Sequence, residues 1–185
     1  MPVPPRGFPP IEFETRLDRA QQLMSRQKLE AMLLTTEPEF RYFSGFLTQF
    51  WQSPTRPWFL VVPRRGKPVA IIPEIGVAAM ARTWLDDIRS WPSPAPRDDG
   101  ISLLARTLQD VAGTTGRVGV PMGPESHLRM PLADFEALFE RIAASTSAGS
   151  RIPSGEQGTT VTATPARSSA RSGRIIELCS MLLVM

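Results

Sequence analysis

The chain has 185 residues, 42% of them hydrophobic and 21% charged, with a formal net charge of +3. That is the composition of a globular protein with room for one well-filled core. The charge is spread over mixed acidic and basic residues, with no basic face interleaved with aromatics, which argues against a nucleic-acid partner.

A single cysteine, Cys179, excludes an internal disulfide and a multi-cysteine metal cluster. It sits in an apolar terminal run that suits an inert thiol. No apolar run is long enough to span a bilayer, and the start, MPVPPRGFPP, lacks the apolar core of a signal peptide. The expected setting is the cytoplasm, with no membrane contact.

Residues 1–10 read as a Pro-rich, extended arm. Phe13, Leu17, Ala20 and Met24 then mark one stripe of an amphipathic helix ending near Lys28. Residues 30–35, around the apolar run Ala31–Leu34, read as the first strand, stopped by Glu37-Pro38. Residues 38–44 predict a short helix turned by Gly45. Trp58–Val62 and Val69–Ile72 flank PRRGKP, a hairpin signal with Gly66 at its tip. Val77, Met80, Ala81 and Trp84 predict a further helix, and Ile88–Trp91 a strand. After the stiff PSPAP at 92–96, Asp98 is the expected N-cap of a helix bearing Ile101, Leu104, Leu108 and Val111, closed by Gly113. Arg117–Val120 predicts a strand. Pro131 opens a last helix with Leu132, Phe135, Leu138, Phe139 and Ile142 on one side.

This order predicts an α/β domain over residues 11–144, with a mixed central sheet of about five strands flanked by helices. Leu33, Leu34, Phe59, Val61, Ile71, Phe135 and Leu138 are its expected core. From about residue 145 the chain turns to Ser, Thr, Gly, Ala and Arg without aromatics or apolar period, so 145–185 reads as a disordered tail. Its last residues, from Ile175, are apolar again and helix-compatible. The tail is either a natural linker or an out-of-frame product.

Candidate chemistry is sparse. His127 in PESHLRMP is a lone histidine, and a metal site needs several ligands, so it reads as a surface residue. Asp86-Asp87 and Asp98-Asp99 read as caps and solvated turns rather than acid–base pairs. RRGK at 64–67 is a hairpin tip, with no helix behind it to make a phosphate loop. The segment between the first two strands is dense in aromatics, with Phe40, Tyr42, Phe43, Phe46, Phe50 and Trp51. These either cap the core or form a surface that meets something else.

Four stretches, FETRLDRAQQLM at 13–24, EAMLLTTEPEFRYFSGF at 30–46, RPWFLVVPRRGKPVAIIPE at 56–74 and VGVPMG at 118–123, resemble the N-terminal domain of the creatinase/prolidase/aminopeptidase P family, the pita-bread metallohydrolases. The most specific piece is Tyr-x-x-Gly-Phe at Tyr42, Gly45 and Phe46. Three departures stand out: Lys28 where Gly is usual, Glu30 where Asp is, and Glu39 where Asn is frequent. The resemblance implies a creatinase N-terminal-like fold. It also implies a dinuclear metal centre, whose ligands are two Asp, one His and two Glu of a catalytic domain that follows. No Asp occurs here after Asp134, and Glu156 and Glu177 are the only Glu residues beyond Glu140. The expectation is a chain with no catalytic residues, metal ligands or cofactor of its own. It would be the dimerisation and substrate-lid domain of a truncated or frameshifted enzyme, partnered by a second copy or by a catalytic domain. The alternative is a freestanding α/β binding or structural module. In similar enzymes this domain borders the active site of the other subunit. That makes Phe50, Trp51 and Arg56 the candidate substrate or partner contacts.

Overall fold

The structure is a computed structural model and describes residues 7–53, 57–113, 115–121, 126–148 and 176–179. Helix α1 (Pro10–Gln27) starts on extended Pro9, with Pro at the first helical position, where a missing N–H costs nothing. It buries Phe13, Leu17, Ala20 and Met24, the predicted stripe. It ends where Lys28 adopts φ 57°, while the Leu29 N–H closes onto the Met24 carbonyl at 2.9 Å. Left-handed backbone is favourable for Gly and strained for Lys, so position 28 carries a local cost.

Strand β1 (Ala31–Leu34) leads into α2 (Glu37–Ser44). Glu39 accepts from both the Thr36 backbone N–H (3.2 Å) and its hydroxyl (2.6 Å), tying the helix start together. Gly45 ends α2 at φ 71°, and a Cβ there would lie 2.7 Å from the Phe13 ring. Both the backbone turn and the approach of α1 therefore require glycine in the Tyr-x-x-Gly-Phe motif.

Strands β2 (Phe59–Pro63) and β3 (Val69–Pro73) form the expected antiparallel hairpin, and β2 also pairs antiparallel with β1. Strand β4 (Asp87–Trp91) runs parallel to β3, and β5 (Val118–Pro121) parallel to β1. A sixth strand, β6 (Ile176–Cys179), lies parallel to β5, giving the order β4-β3-β2-β1-β5-β6. The sheet is mixed, as expected.

Alternation along the strands divides the core in two. Met32, Leu34, Leu60 and Ile72 face α1 and α2, while Leu33, Phe59, Val61 and Ile71 face the other side. There they meet helices α4 (Ile101–Ala112) and α5 (Leu132–Ala148) through Leu104, Leu108, Leu138 and Ile142. Strands covered on both faces read as unbroken apolar runs, which is why β1, β2 and β3 were legible.

Several expectations are corrected. The third helix, α3 (Val77–Met80), is a single turn that does not reach Trp84. Gly100, at φ 82°, is the N-cap of α4, because a Cβ there would meet the Trp91 ring at 2.6 Å. Asp98 still serves the helix from two residues upstream, accepting the Ser102 N–H at 2.9 Å. Phe135 is half-buried, paired edge-on with Phe139 at 4.7 Å on the core margin, and Leu132 is exposed. Helix α5 continues to Ala148, past the expected boundary at 144, and Ile176–Cys179 of the tail is strand rather than helix. The remaining tail expectations, for 149–175 and 180–185, lie outside the described residues.

Candidate functional site

Neighbouring parallel strands β1 and β5 send the chain to opposite faces of the sheet, β1 into α2 and β5 into α5. Such a divergence opens a crevice at the C-terminal ends of the strands, where open α/β sheets place ligands. A cleft of about 560 Å³ lies there, and its lining includes Trp51, Gln52, Asp99, His127, Arg129 and Asp134. That volume is within the range of small-molecule sites.

One wall is the 3₁₀ turn Gln49–Gln52, opened by Thr48, whose hydroxyl oxygen accepts the Phe50 N–H at 3.3 Å. Trp51 is 7% exposed and packs on Phe40 and Trp58 at 5.4 and 5.8 Å between ring centroids. Its indole N–H is buried and meets no acceptor among the described residues; Trp58 and Trp91 share that condition. Phe50 is half-buried and stacks on Trp58 at 6.4 Å. Arg56, the third candidate contact, lies outside the described residues. Trp51 thus belongs to the core and to the cleft wall at once.

The opposite wall is the connection from β5 to α5. His127 is exposed. Arg129 donates its backbone N–H to Thr35 Oγ1 at 3.0 Å, and its guanidinium donates to the carbonyls of Trp51 (3.1 Å) and Ser53. Burial pushes the Arg129 pKa down, with Glu37 acting in the other direction. Burial also pushes the Asp134 carboxyl up; the nearby Asp99 and Asp98 charges add to this and Arg141 opposes it. Asp99 accepts the Ala95 N–H at 3.2 Å. The cleft therefore joins an aromatic wall to a few charged groups.

The other acidic pair has structural partners. Asp86 meets Lys67 at 2.6 Å and Asp87 meets Arg89 at 3.1 Å. At the hairpin tip, Gln21 donates to the carbonyls of Pro63 and Gly66. Sequence reasoning missed Arg129, Asp99 and Asp134 as neighbours of Trp51. Their meeting depends on contacts such as Arg129 to Trp51, 78 positions apart, for which no local signal exists.

No group of three or more His, Cys, Asp or Glu able to hold a metal ion occurs among the described residues. Asp99, His127 and Asp134 line one cleft without forming such a group, so the described residues do not fit a dinuclear centre. No described helix is long and apolar enough to cross a membrane.

Among solved structures, a proline dipeptidase from Streptococcus pneumoniae is similar over 69% of this chain and 85% of that one, with 16% identity and a TM-score of 0.54. The N-terminal domain of an X-Pro dipeptidase from Streptococcus pyogenes is similar over 70% and 88%, with 16% identity and a TM-score of 0.54. Dipeptidase PepE from Mycobacterium ulcerans is similar over 78% of this chain, with 21% identity and a TM-score of 0.54, but only 38% of that protein is covered. At these identities the likeness concerns the fold. No curated protein matches the chain. The model of the family described as the Creatinase/Prolidase N-terminal domain matches residues 16–152, most of the chain, from within α1 to the end of α5. The chain belongs to the creatinase/prolidase N-terminal domain family.

Proposed function

We propose that this chain is the non-catalytic N-terminal domain of a creatinase-like or Xaa-Pro-peptidase-like metallohydrolase. It serves in dimerisation and as a substrate lid, and works with a metal-binding catalytic domain. The observation that carries this reading is the family match across residues 16–152. The absence of a metal-ligand group among the described residues is compatible with it. The partner is a second copy or a catalytic domain of the same family, and the setting is the cytoplasm.

The contact residues in this reading are Phe50, Trp51 and Arg56, of which Trp51 lines the cleft. Aromatic residues and Arg concentrate binding energy at interfaces, which supports the choice. The mostly buried Trp51 offers a partner its cleft-facing rim and a rigid turn rather than a free ring. Titrating the chain into a catalytic half of the same family, and following Xaa-Pro dipeptide hydrolysis, tests the proposal. Restored, saturable activity supports it. No change in activity at any ratio, with both parts folded, contradicts it.

A further inference from the structure

Arg129 grips the C-terminal end of one short turn. Its guanidinium donates to the carbonyl of Trp51, inside the 3₁₀ turn, and to that of Ser53, just past its end. Its carbon centre also lies 5.0 Å from the Trp51 ring centroid. Its own backbone is pinned to the end of β1, where Thr35 Oγ1 accepts its N–H at 3.0 Å. The anchor is thus the rigid sheet, and the load is the turn that walls the cleft. A guanidinium suits this task because it is planar, offers several donors in a fixed fork, and stacks on an aromatic face. Lysine can reach one carbonyl but cannot span two and stack at once.

The energetics agree with a dedicated latch. A guanidinium keeps its charge, so burying it has to be offset by strong acceptors. Here the carbonyl oxygens of Trp51 and Ser53 and the Trp51 ring contribute to that offset. Among the hydrogen bonds that shape the turn are Phe50 N–H to Thr48 Oγ1 at 3.3 Å and Ser53 N–H to the Phe50 carbonyl at 3.0 Å. Those two do not attach the turn to the sheet.

We propose that Arg129 is a positioning residue, a latch that fixes the Gln49–Gln52 turn, and with it Phe50 and Trp51, against the cleft at the C-terminal ends of β1 and β5. Its consequence for activity rests on the lid reading above, while the latch itself is a property of this chain alone. Loss of the latch frees the turn and leaves the sheet intact.

The test is hydrogen exchange on the whole chain, comparing the parent with Arg129→Lys and Arg129→Met. The latch predicts that the Phe50 and Ser53 amides exchange about tenfold faster or more in both variants, since charge-assisted bonds are lost. The Met32, Leu33 and Leu34 amides should keep their parent rates. Unchanged turn amides in both variants would overturn the proposal, and so would parallel loosening of β1 in the milder Lys variant. A second arm measures hydrolysis with the catalytic half added. If the lid reading also holds, KM rises severalfold in Arg129→Lys with kcat little changed. A loosened turn with unaltered kinetics would leave the latch standing and remove the lid reading.

Discussion

The indole N–H of Trp84 donates to the carbonyl of Phe43 at 2.8 Å, joining the segment after α3 to the last turn of α2 across 41 positions of sequence. The same ring stacks on Phe13 at 6.0 Å with planes 11° apart. Trp84 thereby ties α2 and α1 to the approach of β4. Replacing it with Phe keeps much of the ring but orphans the carbonyl. The expected cost is about 1 kcal/mol in chemical denaturation. An unchanged midpoint would mean that water satisfies Phe43 equally well.

Leu33 is fully buried in β1, between Phe59, Val61 and the α4–α5 layer. Leu33→Ala should cost roughly 2–5 kcal/mol, the range for buried Leu truncations. A loss under about 0.5 kcal/mol would be a surface value and would contradict this core.

Lys28 holds φ 57° at an exposed helix end. Lys28→Gly should raise stability by up to about 1 kcal/mol, relief of left-handed strain outweighing the added freedom of the unfolded chain. Thermal melts of the two proteins measure it, and a lower melting temperature for the Gly variant would refute it.

Asp98 accepts from the Ser102 N–H and from Arg141 at 3.1 Å. Burial works to raise its pKa, but these bonds outweigh it and hold the carboxyl below its ordinary value. For a carboxyl lowered in the folded state, the stabilisation is present above the unfolded pKa of about 3.9 and is lost as pH falls through the folded one. Asp98→Asn keeps the acceptor for Ser102 but loses the charge facing Arg141, and should therefore be less stable than the parent near pH 7 by roughly 0.2–1 kcal/mol, the range for exposed ion pairs. The gap should close as pH falls below about 4. An equal gap at every pH would show that the charge plays no part.

The legible parts of the fold were those where one physical cause dominates. Apolar runs gave β1, β2 and β3, the spacing of Phe13, Leu17, Ala20 and Met24 gave α1, and Gly66, at φ 86°, turned the hairpin. The third helix misled because Val77, Met80, Ala81 and Trp84 keep a helical spacing, while Trp84 is drawn to Phe43 and Thr83 Oγ1 accepts the Leu85 N–H at 3.3 Å. Tertiary contact overrode a local pattern. Asp98 had the right chemistry two residues too early, because the Trp91 ring crowds position 100. Strand β6 could not be read from a stretch whose pairing partner, β5, lies more than fifty residues away. At the site, the aromatic wall was visible as composition, whereas the Arg129 side was not, because only the fold brings the two strand ends together.

The most direct measurement of the central claim is turnover of an Xaa-Pro dipeptide by the purified 185-residue chain, with Mn, Co or Zn supplied, alone and with the catalytic half of its family. The account predicts no hydrolysis by the chain alone and activity that rises on mixing. It also predicts that Trp51→Ala weakens the mixed activity per folded molecule, by about 2 kcal/mol if Trp51 is a hot spot. Metal-dependent hydrolysis by the chain alone, proportional to its concentration after host peptidases are removed, would contradict it.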